Sequence, residues 1–407
     1  MRRLVAGALG ALVGSLVLVP VGSGPASAEG EDPCDKGIIA ESERTADTKA
    51  HVSAPLERMH VPEAQRITRG AGVTVAVVDS GVGAGLGIDV VQQSVPGLQP
   101  TLLSGHGTIV GGLIAGPDGV APKARILSMR VLDKDDPDPQ RGERGVSSAL
   151  LAQGIDQLVA LHRTTPFQVV NVSLAVPAND PVLEAAVKRL AQLDVVIVAA
   201  SGNRRTEEEG EAPPARATSD ADIYPADYKN VLAVNAVGPS AFTDVRPFVY
   251  PNADTDVAAP TAGAISVNLN GQRCQIADEI ATSYAAAEVS GVVALLRSRF
   301  PRESARQIVA RLMRTAEGSE ANPNPWTGAG VVQAADALTR QLVPDRKGDT
   351  QRTTAETRAD AQAPPAPERV DAYGPSRTML MWFALGSGAL LALALMTRPL
   401  FRRTSSG

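Results

Sequence analysis

The hydrophobic positions between residues 55 and 342 fall into alternating short and long segments. Five short runs of mostly Val, Ile, Leu and Ala are typical of buried parallel strands: 73–78, 124–132, 169–174, 195–200 and 231–237. Helical candidates lie between them at 107–115, 147–163 and 181–193. This alternation predicts an α/β fold with a doubly wound, mostly parallel sheet flanked by helices, in which active sites form beyond the carboxyl ends of the strands.

Two longer apolar runs lie near the ends of the chain. The run at 4–21 follows a charged start and precedes the small residues 26–28, so residues 1–28 are predicted to be a secretory signal peptide; an uncleaved anchor is the alternative. The uncharged run 379–397 approaches the ~20 residues that cross a bilayer, and predicts a transmembrane helix better than a buried core helix. The arginines in 398–407 predict a cytoplasmic tail. We therefore expect a single-pass cell-membrane protein whose main domain is extracytoplasmic.

Three further segments complete the expected organisation. Residues 29–54 are polar and form an N-terminal extension, 55–342 form the globular domain, and 343–378 form a Pro-rich linker between the domain and the membrane. The extension contains Cys34 and the domain contains Cys274. Outside the cytoplasm an even cysteine count favours a disulfide, here one that joins the extension to the domain; two free thiols are the alternative.

Composition narrows the function without naming it. Of the 407 residues, 44% are hydrophobic and 20% are charged, and the net charge is -5. This balance fits a folded protein with no basic surface, so we expect no nucleic-acid partner. The chain contains no Asp-rich loop of the EF-hand type. No cofactor and no active-site metal is expected, and calcium binding elsewhere is left open.

Four polar residues stand at predicted strand ends or helix starts. Asp79 ends the first strand run in Val-Val-Asp-Ser-Gly, and His106 lies in Gly-His-Gly-Thr-Ile-Val. Asn203 follows the fourth strand run in Ala-Ala-Ser-Gly-Asn, and Ser283 lies in Ala-Thr-Ser-Tyr-Ala-Ala-Ala at the start of a long apolar helix. Each alone has a structural alternative, such as a turn-forming Asp or Asn or a helix-capping Ser. Together, their order along the chain is that of subtilisin.

The four motifs resemble those of the subtilase family of serine peptidases, over residues 55–342. The resemblance implies a catalytic triad of Asp79, His106 and Ser283, and an oxyanion site made by Asn203 with the Ser283 backbone amide. It also implies that two segments line the substrate cleft: Ser173, Leu174 and Ala175, and Ala200, Ser201 and Gly202. Many subtilases have Gly where this chain has Ala175, Thr261 and Ala281, which leaves open whether activity is reduced.

A narrower resemblance is to the mycosins, the subtilases that accompany type VII secretion systems. The signal peptide, the Cys-bearing extension, the Pro-rich linker, the single C-terminal membrane helix and the sequence Ser-Tyr-Ala-Ala-Ala at 283–287 carry it. It implies an endopeptidase that cleaves polypeptides by acyl-enzyme hydrolysis and works with the secretion membrane complex. Two alternatives stay open: a mainly structural partner of that complex, and a general cell-surface subtilase.

Overall fold

The computed structural model describes Cys34 and the residue ranges 53–204, 222–276, 279–320, 323–349 and 374–401. The chain divides into two compact units, Met1–Gln351 and Arg352–Gly407. The predicted signal peptide and cytoplasmic tail, and most of the predicted extension and linker, lie outside the described residues. Those predictions, and the domain boundaries drawn from them, therefore stay predictions.

A parallel sheet forms the centre of the first unit. In the part of the chain that the structure describes, the sheet has seven strands: β1 (Thr74–Asp79), β2 (Val90–Ser94), β3 (Arg125–Arg130), β4 (Val169–Val172), β5 (Val196–Ala200), β6 (Val231–Val237) and β7 (Val257–Pro260). Their spatial order is β2-β3-β1-β4-β5-β6-β7, and every neighbouring pair is parallel. The predicted doubly wound, mostly parallel sheet is confirmed.

Helices cover both faces of this sheet. They are α1 (Ala54–Arg58), α2 (Val61–Gln65), α3 (His106–Ala115), α4 (Ser148–Leu161), α5 (Pro181–Ala191), α6 (Thr282–Arg299), α7 (Ala305–Thr315) and α8 (Ala334–Thr339). One hydrophobic core lies between the sheet and the α3 and α6 side, and a second lies on the α4 and α5 side. Val75 and Val77 of β1 point into the first core, and Ala76 and Val78 into the second. This double burial explains why the strand is an unbroken apolar run.

The predicted strand and helix runs agree with the structure to within two residues at most ends, whereas several elements were not predicted. β2 lies at the edge of the sheet and is only partly buried, so its sequence Val-Val-Gln-Gln-Ser lacks a continuous apolar run. An antiparallel pair, β8 (Ala264–Val267) and β9 (Arg273–Ile276), was also missed. In β9, Cys274 forms the predicted disulfide with Cys34. The extension is thereby fastened to the domain at β9, where the Cys34 N–H also donates to the Gln275 carbonyl at 3.1 Å.

The second unit contains one long helix, α9 (Gly374–Phe401). Within it, Met379–Met396 has a mean hydropathy of 2.0, and none of this stretch is buried inside the protein. The stretch is long and apolar enough to cross a membrane, in agreement with the transmembrane helix predicted at 379–397.

Candidate active site

Asp79 and His106 form the centre of the site. Asp79 is the last residue of β1 and is fully buried, and His106 is the first residue of α3. The His106 ring nitrogen Nδ1 lies 2.9 Å from Asp79 Oδ1 and 3.1 Å from Oδ2. Because a carboxylate only accepts, Nδ1 carries the proton when His106 is neutral, and Nε2 is then the basic nitrogen.

Small residues make this approach possible. A Cβ added to Gly107 would lie 2.5 Å from the Gly81 carbonyl oxygen and 3.0 Å from Asp79 Oδ1, so only Gly lets α3 start this close to the end of β1. The Ser80 N–H donates to Asp79 Oδ1 at 2.7 Å, and the Ser80 hydroxyl accepts from the Gly107 N–H at 3.0 Å. These contacts fix the carboxylate and the start of α3 with respect to each other.

Ser283 is the second residue of α6 and is 5% exposed. At this position its backbone N–H has no acceptor within the helix and lies at the positive end of the helix dipole. Its carbonyl oxygen accepts from the Ser173 hydroxyl at 2.7 Å. That hydroxyl in turn accepts from the Asn171 side-chain amide at 2.9 Å, and Asn171 Oδ1 accepts from the Ser290 hydroxyl at 2.9 Å. A buried chain of three hydrogen bonds thus connects β4 to Ser283.

Asn203 lies just beyond β5 and is exposed. Its Oδ1 atom accepts from the Thr282 backbone N–H at 2.7 Å and from the Thr282 hydroxyl at 2.9 Å. A backbone N–H can only donate, so this contact fixes the amide orientation and leaves Nδ2 as the remaining donor of the side chain. The Gly202 N–H donates to the same Thr282 hydroxyl at 3.1 Å. Thr282 therefore holds both predicted oxyanion donors, Asn203 and the start of α6, in one arrangement.

The remaining predicted site residues lie on the two strands next to this centre. Ser173, Leu174 and Ala175 follow β4, and Ser201 and Gly202 follow Ala200, the last residue of β5. The Ser173 hydroxyl is used inside the protein, on the Ser283 carbonyl. Ala175 is partly exposed and lines a cavity of about 810 Å³. The structure thus brings all of the predicted residues to one edge of the sheet, the edge where parallel strands end.

Thr261 and Ala281 are two of the three positions at which many subtilases have Gly, and both contribute to the turn before α6. The Thr261 hydroxyl donates to the Glu279 carbonyl at 2.7 Å and accepts from the Ala281 N–H at 3.4 Å. Ala281 has extended backbone (φ -135°), a conformation open to any residue, and its methyl group is buried without strain. The side chain of Thr261 therefore adds contacts to this turn that glycine lacks.

Several residues of the site were missed by sequence reasoning. Asn171, Thr282 and Ser290 position the start of α6 without standing at an expected catalytic position. Asn171 carried a usable signal, because a polar residue in the buried run Val-Val-Asn-Val requires a hydrogen-bond partner. The Tyr284 ring stacks on His106 with 5.8 Å between ring centroids. Among the described residues, no cluster of three or more His, Cys, Asp or Glu is placed to hold a metal ion.

Comparison with known proteins identifies the class to which this fold and site belong. The sequence profile of the subtilase family, peptidase S8, matches residues 70–348. The chain belongs to the subtilase family of serine peptidases.

Within that family the chain is similar to Mycosin-3 of Mycobacterium tuberculosis (strain ATCC 25618 / H37Rv), with 33% identity over 357 residues that cover 74% of this chain and 75% of Mycosin-3. Its fold is similar to that of the MycP3 protease from the type VII (ESX-3) secretion system, with 31% identity, a TM-score of 0.58, and coverage of 76% of this chain and 93% of that chain. It is also similar to the serine protease MycP1, an essential component of the type VII (ESX-1) secretion system, with 25% identity, a TM-score of 0.57, and coverage of 77% and 96%. These similarities confirm the predicted resemblance to mycosins.

Proposed function

We propose that the chain is a membrane-anchored endopeptidase that acts outside the cytoplasm with a type VII secretion system, and that Asp79, His106 and Ser283 are its catalytic triad. The observation that carries the proposal is the buried Asp79 carboxylate bound to His106 Nδ1 at the sheet edge where Ser283 lies in the first turn of α6. A His–Asp pair with a purely structural role does not require a nearby serine at a helix start, whereas a catalytic triad does.

The geometry supports acyl transfer in two steps. A serine hydroxyl is a weak nucleophile, so His106 Nε2 takes the Ser283 proton as Oγ attacks the peptide carbonyl. Asp79 keeps the proton of the imidazole on Nδ1 and stabilises the imidazolium that forms. His106 then protonates the leaving amine, and water hydrolyses the acyl-enzyme by the same route in reverse.

The negative oxygen of the tetrahedral intermediate is assigned to Asn203 Nδ2 and the Ser283 backbone N–H. The fixed amide orientation of Asn203 supports this role, because Oδ1 is occupied by Thr282 and Nδ2 is the remaining donor. Donors held in place before the reaction stabilise charge without reorganising. In subtilisin, removing one such donor lowers kcat by about 10²–10³-fold.

The anchor and the similar proteins support the location and the partner. The helix α9 follows the catalytic unit in the chain and contains a stretch apolar enough to span a bilayer. A stop-transfer helix followed by arginines predicts a cytoplasmic C-terminus and an extracytoplasmic peptidase. Since similar structures come from type VII secretion systems, we assign the membrane complex of such a system as the partner and secreted polypeptides as the substrates.

The proposed triad is tested by Ser283→Ala, which we expect to lower kcat by about 10⁴-fold or more without unfolding the protein. The matched control is Ser298→Ala near the opposite end of α6, whose hydroxyl donates to the Ala71 carbonyl. Peptidase activity and thermal unfolding of both purified variants are the measurements. Full peptidase activity in the Ser283→Ala protein would contradict the assignment of Ser283 as the nucleophile.

The partner role is tested in cells. A strain with the Ser283→Ala chain is compared with a strain lacking the whole chain, and secretion by the type VII system is measured in both. We expect the deletion to abolish secretion. Secretion that persists in the Ser283→Ala strain would favour the structural-partner alternative, and normal secretion in the deletion strain would favour a general surface peptidase.

A further inference from the structure

A second buried ion pair lies next to the site, at the ends of the same strands. Arg130 is the last residue of β3 and stands in register with Asp79 of β1. Its guanidinium nitrogen Nη2 lies 2.6 Å from Asp133 Oδ1, and the side chains of Arg130 and Asp133 are only 8% and 0% exposed. Neither residue takes part in the proposed chemistry, so their burial calls for another explanation.

The guanidinium of Arg130 holds main-chain carbonyls as well as the carboxylate. It donates to the carbonyl oxygens of Gln99 at 2.7 Å, Thr101 at 2.9 Å and Leu132 at 3.3 Å. Gln99 and Thr101 belong to the 95–105 segment, which leads directly into His106. The fixed fork of an arginine holds several acceptors in one geometry, which a lysine does not.

Asp133 completes the arrangement from the other side. Its Oδ1 accepts from the Gln99 N–H at 2.9 Å, and its Oδ2 accepts from the Arg144 N–H at 2.8 Å. The Asp133 N–H also donates to the Arg144 carbonyl at 2.7 Å. Arg144 belongs to the 131–147 segment, which leads into α4. The Arg130–Asp133 pair therefore ties the 95–105 segment to the 131–147 segment.

The 131–147 segment forms a wall of the cavity of about 810 Å³ that includes Ala175. This segment contributes six residues to the lining: Asp135, Pro137, Arg144, Gly145, Val146 and Ser147. Ala175 directly follows Ser173 and Leu174, and all three are expected to line the substrate cleft. A peptide extended along this strand end would pass the mouth of the cavity.

We propose that Arg130 and Asp133 are positioning residues for the peptide substrate, which act by fixing the cavity wall next to Ala175. The inference rests on the proposed peptidase function. A buried ion pair adds little net stability compared with apolar side chains, whereas its directional contacts define a geometry. Since the His106 ring is held by Asp79 itself, loss of the pair should weaken binding of long peptides more than it slows the chemical step.

The test is the double variant Arg130→Met/Asp133→Leu, which removes both charges and leaves no buried charge alone. Peptides of increasing length with one common scissile residue are the substrates, and kcat and KM are measured separately. We expect KM for long peptides to rise about tenfold or more. For a single-residue amide substrate we expect kcat/KM to change by less than about threefold.

The matched control is Arg125→Met/Asp89→Leu. Arg125 also lies on β3 and pairs with Asp89 at 2.9 Å, but these side chains are 55% and 61% exposed. We expect this control to leave the dependence of KM on peptide length unchanged. If the Arg130→Met/Asp133→Leu protein fails to fold, Arg130→Lys carries the same test, because it keeps the charge and loses the fork.

The outcomes separate the two levels of the argument. If the unaltered full-length chain cleaves none of the peptides, the proposed peptidase function fails. Suppose instead that the unaltered chain cleaves the peptides. If KM then falls with peptide length in the folded double variant, or in Arg130→Lys, as steeply as in the unaltered chain, the positioning role is overturned. An equal loss of kcat/KM on long and short substrates would also overturn the positioning role, because a purely structural ion pair is expected to give that result.

Discussion

Two buried polar groups of α6 differ in their contacts: Thr282 at the start of the helix is hydrogen-bonded to Asn203, whereas the Glu288 carboxyl has no such partner among the described residues. Around Ser283, the Thr282 N–H and hydroxyl bind Asn203, and the Ser283 carbonyl accepts from Ser173. One turn later, Glu288 is fully buried, and neither of its carboxyl oxygens has a hydrogen-bond partner among the described residues.

Polar contacts therefore position the start of α6, whereas they do not position the side chain of Glu288. Hydrogen bonds at the start of α6 hold the proposed nucleophile and oxyanion donors in place, as a site for rapid chemistry requires. At Glu288, burial raises the pKa of the carboxyl well above its ordinary value of 4.5. Burial without a partner therefore favours the protonated form of Glu288 in the folded protein, since an unpaired buried charge costs more than a neutral acid.

The largest effect is expected from breaking the paired region. Asn171→Ala removes the donor to Ser173 and the acceptor of Ser290, and leaves both hydroxyls short of a partner. We expect a loss of about 1–3 kcal/mol in the free energy of unfolding for each group left unsatisfied. We also expect kcat to fall by about tenfold or more, since the Ser173 hydroxyl that binds the Ser283 carbonyl is no longer held in place by Asn171. Urea unfolding and steady-state kinetics measure the two effects.

A control separates stability from positioning. Val170→Ala lies on the same strand and makes a hole in the apolar core without removing any polar contact. This variant should lose stability and keep its kcat. Equal losses of kcat in Val170→Ala and Asn171→Ala would show that the buried chain of hydrogen bonds does not position Ser283.

The unpaired region is expected to respond to pH. A carboxyl whose pKa is higher in the folded state than in the unfolded state loses stability as pH rises above the unfolded value of 4.5. While Glu288 stays protonated in the folded state and ionises on unfolding, its contribution falls by about 1.4 kcal/mol per pH unit. Glu288→Gln should remove this slope, so its stability relative to the unaltered chain should increase from pH 5 upward. Urea midpoints at several pH values test this; parallel curves for the two proteins would contradict it.

Asp256 is buried like Glu288 but has a hydrogen-bond partner, and it should show the smallest effect. Asp256 Oδ2 accepts from the Ala233 N–H at 2.9 Å, yet burial still raises the pKa of Asp256 to about 6. Its loss of stability with rising pH should therefore end near pH 6. Asp256→Asn should remove this loss, so the stability of the variant relative to the unaltered chain should rise between pH 3.8 and about pH 6 and stay level above it. A difference in slope that persists at pH 8 would contradict the assigned pKa.

The sequence predicted the sheet and two of the proposed site residues for the same physical reason. Parallel strands buried on both faces are unbroken apolar runs, so β1 and β5 were visible, and the polar residues Asp79 and Asn203 that follow these runs stood out. His106 and Ser283 were predicted instead from their short motifs and from the order of the four residues along the chain. The edge strand β2 and the hairpin of β8 and β9 lack such runs and were not predicted. Their place depends on pairing partners distant in the chain.

The hydrogen bonds that support the site could not be predicted from the sequence for a related reason. The contact between Ser290 and Asn171 joins residues 119 positions apart, and the contact of Arg130 with Gln99 joins the end of β3 to the 95–105 segment. Neither has a local sequence pattern, because each depends on how α6 and the loops pack on the sheet. The burial of Glu288 without a partner is likewise a property of the packed helix: the sequence shows only a Glu in an apolar stretch.

Covalent labelling of the serine is the most direct test of the central claim that His106 and Asp79 activate Ser283. A fluorophosphonate reacts with an activated serine hydroxyl, and mass spectrometry of a digest locates the adduct. We predict one adduct, on Ser283, formed rapidly by the full-length chain and at least about 10³-fold more slowly after His106→Ala. An adduct on another serine, or labelling of Ser283 at an unchanged rate in the His106→Ala protein, would contradict the account.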